Sequence, residues 1–465
     1  MKIVSIIILL LCIQINSQTK FDKIDGIINE AYEKDIFSGV VLIADKSKTE
    51  YLKAFGYADW DNGIINQTDT KFNIGSIGKL FTQILITQLI QEEKLNLSDN
   101  LKNLYPVFNN ESDEKITVKM LLTFSAGLGD YLQLTEFRQE PNRFRNVEDL
   151  ILLIAKQPLL FEPGTSTRYS NSSYVVLGGI IEKLTGKSYY DVLKERILNP
   201  LGMNNSGFIY KEDQVENKAK GFLVTPTGNK ESTYERMPNI PTPAGGMYST
   251  SVDMLKLDRS LINDNILLED EFKVLLHSRF NEDVNLTWTE LLKLPDFGLG
   301  VAGGSPGWNA VYDQNVASKY SVIILSNIDQ GAEDLIKRIN AILKGENYQP
   351  LRLDLGRYIF TVIKEKGTSD FVENYKEYLS EYNIVNDRIL NRIGYQFLYE
   401  GLNDEAIAIF TVNVKCFPNI GNTYDSLAEA YMKTGDKENA IINYKKALEL
   451  DPKNKNAEEM LNKLK

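Results

Sequence analysis

The chain has 465 residues, 43% of them hydrophobic, which is too long for one ordinary compact domain and apolar enough to fill at least one sizeable core. With 63 acidic against 52 basic residues, the net charge of -11 gives a surface that repels phosphate backbones and excludes nucleic acid as a partner class. A single histidine, His277, excludes a metal site built on several histidines, and no cofactor is expected.

The N-terminus reads Met1-Lys2, then an almost unbroken apolar run from Ile3 to Ile15, then Asn16, Ser17 and Gln18. That order predicts a secretory leader over 1–17, cleaved near Ser17, and a secreted or periplasmic product. The run falls short of the roughly 20 apolar residues that span a bilayer; an uncleaved anchor is the alternative, and no stable span is expected after cleavage. Cys12 would suit lipid attachment, but Leu9-Leu10-Leu11 ahead of it lacks small residues, so lipoprotein anchoring is the lesser reading. Cleavage leaves Cys416 alone, which predicts a packed thiol and no intramolecular disulfide.

From Phe37 to Phe55 apolar and polar residues alternate as in two antiparallel strands. Between Ser76 and Lys94 the spacing becomes helical, with Leu80, Ile84, Leu85, Leu89 and Ile90 on one side. Helices follow over Tyr174–Leu184 and Ser251–Leu261, then a buried strand over Tyr320–Ser326 and a helix over Ala332–Leu343. These elements predict an α+β domain over 18–345 with strands at both ends of its sequence.

Beyond Gly345 the composition turns to charged helices, and residues recur at an interval of 34: Gly394 with Ala428, Phe397 with Tyr431, Gly401 with Gly435, Ala406 with Ala440, Phe410 with Tyr444, Pro418 with Pro452. Small residues let paired helices approach, aromatics fill the gap, and each proline stops the second helix. The pattern resembles the tetratricopeptide repeat, with two units over 387–465. Residues 346–386 are expected to be a helical linker, a degenerate first unit or a cap. Such repeats could bind a protein partner, join two chains or cover one face of the first domain.

A Ser-His-Asp triad could draw only on His277, which sits in the helical stretch Glu271–His277, far in sequence from any glycine-framed serine, and is expected at the surface or core edge. A serine nucleophile must then use lysine or tyrosine as its base. In Gly75-Ser76-Ile77-Gly78-Lys79, a helix starting at Ser76 would put Lys79 one turn along on the same face, beside unpaired backbone N–H groups; an ordinary capped helix is the alternative. Pro163 to Asn171 leads into a helix and carries Tyr169 and Asn171 two residues apart, a phenol that could act as base and an amide that could orient substrate, or else a packed loop tyrosine. Ala302-Gly303-Gly304-Ser305-Pro306-Gly307 would let backbone approach a ligand closely, or is a plain turn.

Order, spacing and flanking sequence together resemble the serine β-lactamase and D,D-peptidase family, in particular its class C, esterase-like branch. The likeness runs from Phe37 to Leu343 and includes Phe72-Asn73-Ile74-Gly75-Ser76, Leu121-Leu122-Thr123, Phe161-Glu162-Pro163-Gly164-Thr165 and Ala244-Gly245-Gly246-Met247-Tyr248-Ser249. It implies a β-lactamase/transpeptidase-like fold, an antiparallel sheet flanked by helices with an all-helical subdomain. The family's S-x-x-K falls on Ser76 and Lys79 and its Y-x-N on Tyr169 and Asn171. By that resemblance Ser76 forms an acyl-enzyme on a small-molecule or peptide substrate, Lys79 and Tyr169 move the proton, and the Ser76 and Gly304 N–H groups hold the oxyanion, with Gly303 beside them. Two positions depart from the pattern. Val301 stands where the third motif has lysine or histidine, which removes a cation for a substrate carboxylate and points to an esterase or amidase rather than efficient β-lactam turnover. Phe124 stands where relatives have histidine, and is expected to be structural. The competing reading is a non-catalytic sensor or scaffold acting through its repeats.

Overall fold

Every residue of Gly39–Asp45 except the last is buried, so this run lies inside a sheet and not at its edge. The computed structural model describes residues 20–45, 48–208, 215–233, 240–295, 297–315 and 319–464; the leader read over 1–17, with Cys12, lies outside them. The chain divides into two units, Met1–Leu223 with Ser232–Leu351, and Val224–Glu231 with Arg352–Lys465.

The first unit is built on a five-stranded antiparallel sheet of β1 (Gly39–Asp45), β2 (Thr49–Phe55), β3 (Gly298–Ser305), β4 (Trp308–Asn315) and β5 (Tyr320–Ser326), in the spatial order β3-β4-β5-β1-β2. Strands from both ends of the unit's sequence meet at its centre, where Gly39 pairs Ser326 and Asp45 pairs Tyr320. Because strand side chains alternate faces, β1 serves two cores at once. Val41 and Ile43, with Val322 and Ile324 of β5, pack on α1 (20–33) and on α5 (Gly331–Lys344). Val40, Leu42, Ile323 and Leu325 face the larger core formed with α2 (Gly78–Gln91), α3 (Asn171–Thr185) and α4 (Ser251–Asn263). Asp258 ties α4 to the sheet by accepting hydrogen bonds from Tyr312, Gln314 and Ser321, and burial pushes its pKa up.

Two local expectations change. The helix predicted from Ser76 begins as a 3-10 turn over Gly75–Ile77, and α2 proper starts at Gly78. The glycine run read as a possible turn is an edge strand; only Pro306–Gly307 turns, into β4. Glycine weakens a strand unless another backbone must come close to it, and β3 meets that condition.

In the second unit, α6 (Leu355–Lys366) and α7 (Thr368–Tyr378) precede α8 (Asp387–Tyr399), α9 (Asn403–Cys416), α10 (Gly421–Thr434), α11 (Lys437–Leu450) and α12 (Lys455–Leu464). A Cβ on Gly394 would lie 2.5 Å from the Phe410 ring, so the small residue of α8 makes the room that the aromatic of α9 fills. Ala428, Ala440 and Tyr444 share the cluster one interval later. Ile359, Val362 and Phe371 of α6 and α7 join the core of α8 and α9. Thr225 and Thr227 donate hydrogen bonds to Glu400. Cys416 is a free, half-buried thiol whose pKa burial pushes up. Among the described residues no helix is long and apolar enough to cross a membrane.

Candidate active site

The site starts from a tight turn. The Asn73 side chain accepts from the Gly75 N–H at 2.8 Å, Ile77 N–H reaches back to the Ile74 carbonyl, and Gly75 takes φ +52°, which favours glycine. This turn presents Ser76 at the head of α2 and is pressed by β3: a Cβ on Gly303 would lie 2.1 Å from the Ile74 oxygen and 2.7 Å from Ser76 N, and one on Gly75 would lie 2.6 Å from Gly304 N. The close approach that the glycine run suggested is therefore made to the turn that carries Ser76.

Lys79 follows one turn later, 5% exposed, with its Nζ 3.2 Å from Ser76 Oγ, 2.7 Å from Asn171 Oδ1 and 2.6 Å from the Ala244 carbonyl oxygen. Tyr169 reaches it from the loop ahead of α3. That loop is held by Gly164 N–H on the Ser125 carbonyl and Arg168 N–H on the Phe124 carbonyl. Ser170 then caps α3 through the Ser173 N–H, which places Asn171 at the first turn. The Tyr169 hydroxyl lies 2.6 Å from Ser76 Oγ and its ring 4.8 Å from Lys79 Nζ. The structure thus joins Tyr169, Ser76, Lys79 and Asn171, in that order, by a chain of hydrogen bonds.

Burial pushes the Lys79 pKa down to about 7, against a smaller opposing pull from Asp130. The Tyr169 pKa goes up, first through burial and also through Asp130, while its hydrogen bond to Ser76 pulls the other way. The net upward shift favours the protonated phenol over the ionised one. A neutral lysine amine has two N–H donors and one lone pair. With the donors on Asn171 Oδ1 and the Ala244 oxygen, the lone pair is left for the Ser76 hydroxyl.

Beside Ser76 lies a cavity of about 350 Å³. Tyr131, Leu132, Ile240 and Pro241 give it apolar walls, Asn73, Thr233, Thr242 and Ser305 line it with neutral polar groups, and no described lining residue is charged. Gly304 lines it, whereas Gly303 is buried against the Ser76 turn and does not. Val301 sits two residues back on Gly303's face of β3, packed against the apolar core.

Three contacts were not legible in the sequence. Asp130 accepts from the Asn171 amide at 2.8 Å, within a stretch that matches no motif. Ala244 binds Lys79 through its backbone, which side-chain patterns do not reveal. Phe124, expected to be structural, has its ring 4.9 Å from that of Tyr169 and 5.3 Å from that of Tyr174, at φ +59°. His277 is buried between Trp288 and Phe297, its ring nitrogens on the Lys273 carbonyl and Gln314, and burial pushes its pKa down to about 4. It is deeper than the expected core-edge position.

With this geometry in place, comparison gives the family: residues 24–346 match the beta-lactamase family, and the chain belongs to it. Residues 421–454 match the tetratricopeptide repeat. A penicillin-binding protein of Bacillus subtilis (strain 168) is 27% identical over 354 residues, covering 71% of this chain and 78% of the relative. The teichoic acid D-alanine hydrolase of Staphylococcus aureus (strain NCTC 8325 / PS 47) is 28% identical over 333 residues, covering 70% and 78%. Among solved structures, the octameric penicillin-binding protein homologue from Pyrococcus abyssi superposes with a TM-score of 0.61 at 24% identity, covering 74% of this chain and 82% of that one. It shares the fold.

Proposed function

We propose that the chain is an exported serine hydrolase that forms an acyl-enzyme on Ser76 with esters or amides whose acyl part carries no carboxylate. The observation that carries this reading is the setting of Lys79: a buried amine held between two carbonyl oxygens, with its third direction on Ser76 Oγ. As Ser76 Oγ attacks the substrate carbonyl, Lys79 takes its proton. The Ser76 and Gly304 N–H groups receive the oxyanion. When the tetrahedral intermediate collapses, the bond to the leaving group breaks, and the proton passes from Lys79 through the Tyr169 hydroxyl to the departing oxygen or nitrogen. Water, giving its proton to the same pair, then attacks the acyl-enzyme and releases the acid and free Ser76.

The substrate class follows from charge. Val301 offers no cation where the family pattern has lysine or histidine, so a substrate carboxylate would lack that partner. A D-alanyl group bound through its carbonyl carries no free carboxylate, unlike a peptide ending in D-alanine, and D-alanine is the group in the name of one relative, the teichoic acid D-alanine hydrolase. Export rests on the leader-like residues 1–17, and the repeats support a protein partner for the second unit.

The test is intact-protein mass after incubation with a fluorophosphonate, a p-nitrophenyl ester and a penicillin, beside a Ser76→Ala control. Adducts from the first two on the wild type alone support the hydrolase. A lasting penicillin adduct would shift the reading toward peptidoglycan chemistry. No Ser76-dependent adduct from any reagent would leave a binding protein on a hydrolase fold.

A further inference from the structure

Asn171 is the member of the cluster whose role the geometry changes. An amide expected to orient substrate has both ends already engaged inside the protein: Oδ1 accepts from Lys79 Nζ at 2.7 Å, and Nδ2 donates to Asp130 Oδ2 at 2.8 Å. An amide is nearly symmetric in shape, so packing alone does not decide which end faces the lysine; a partner that accepts only, at the far end, does. Asp130 is that partner. Its second oxygen accepts from the Leu132 N–H at 3.0 Å, capping the turn Tyr131–Gln133, whose first two residues wall the cavity. One carboxylate therefore links the cavity wall, the amide and the base. It does so without touching Ser76, substrate or Lys79 directly.

We propose that Asp130 is a positioning residue: it fixes the Asn171 amide with its oxygen toward Lys79 and supplies the negative charge that supports the ammonium form Lys79 adopts in mid-reaction. This rests on the reading of Lys79 as the base. The ionisable groups facing Lys79 among the described residues are Tyr169, Tyr174 and Asp130, and the two phenols are held neutral by burial. Asp130 is therefore the charge whose removal should move Lys79. Without it the amide is free to turn its NH₂ end to the amine, and the protonated lysine loses both a hydrogen-bond acceptor and a counter-charge.

The experiment is a direct titration of Lys79 by NMR of ¹³Cε-labelled lysine in the full chain, with p-nitrophenyl ester kinetics alongside, for wild type, Asp130→Asn, Asp130→Ser and Asp130→Glu. Asparagine keeps the size but has one acceptor oxygen for two donors. Serine can still cap Leu132 but neither reaches Asn171 nor carries charge, so it substitutes for the asparagine variant should that one fail to fold. The Lys79 midpoint should fall by about half a pH unit or more in both neutral variants. Their kcat/KM should fall about tenfold or more, with the acid limb moving down with the midpoint. Glutamate should keep the midpoint near the wild-type value. An unmoved midpoint in folded neutral variants, or a fall in rate with the limb in place, would reduce Asp130 to a structural cap and overturn the proposal. Because the titration needs no turnover, absence of Ser76-dependent hydrolysis in the wild type would count against the hydrolase reading and leave the Asp130 test standing.

Discussion

Lys79 can take the Ser76 proton only as the neutral amine, so the direction of its pKa shift fixes the direction of a pH profile. Burial brings that pKa down to about 7. Below it the amine is protonated and kcat/KM for a p-nitrophenyl ester should fall about tenfold per pH unit; above it the rate should level off. The Tyr169 phenol, raised above its ordinary 10, should keep that plateau through neutral pH and mildly alkaline conditions. A profile with its acid limb near pH 4 would instead implicate a carboxylate. Tyr169→Phe keeps the ring against Phe124 and removes the hydroxyl 2.6 Å from Ser76. It should lower single-turnover acylation by about 100-fold or more while leaving the melting temperature nearly unchanged. A variant as fast as wild type would remove Tyr169 from the proton path.

At the level of elements, Ser76, the proposed nucleophile, is held by the fit of a 3-10 turn against an edge strand. Gly303→Ala puts a Cβ 2.1 Å from the Ile74 carbonyl oxygen, backbone that cannot swing aside, so β3 or the turn must shift. A displacement of that order should cost about 100-fold in ester hydrolysis, with a lower melting temperature. Gly300→Ala on the same strand meets nothing nearer than Asp313 Oδ1 at 3.4 Å and should change either quantity little. Equal behaviour of the two variants would show that the strand is not fixed by this contact. In the second unit, Gly394→Val drives a side chain into the Phe410 ring; overpacking of this kind costs about 1–3 kcal/mol. Amide exchange in α8 and α9 should accelerate accordingly, as hydrogen-exchange mass spectrometry would detect. Unchanged exchange would mean that α8 can move away from α9 at little cost.

For the molecule as a whole, the proposed preference for substrates without a carboxylate is a question of charge. A net charge of -11 repels anionic ligands at long range, and Val301 is uncharged where the family pattern has lysine or histidine. A neutral p-nitrophenyl ester should be hydrolysed with a kcat/KM at least about tenfold above that of the same ester bearing a terminal carboxylate on its acyl chain, the factor expected when a buried charge finds no partner. The gap should narrow at high salt if it arises from the whole surface, and persist if it arises from the cavity.

Short-range order was legible in the sequence because its causes are short-range. The three-residue step from Ser76 to Lys79 puts both side chains on one helical face wherever that helix lies. The alternation over Phe37–Phe55 and the apolar run Tyr320–Ser326 name strands without naming their neighbours, and the recurrence at 34 residues marks the repeats because each unit buries the same face. What only the tertiary structure decided depends on groups far apart in the chain. The strand at 298–305 was hidden by its glycines, which serve a contact with residues 74–76 and not a turn. Asp130 and Phe124 acquire their neighbours only when the loops at 123–131 and 163–170 meet over α2. The low pKa of Lys79 has no sequence pattern at all, because it comes from the exclusion of water by elements spread across more than 160 residues, from Ser76 to Ala244, and desolvation is a property of the closed fold.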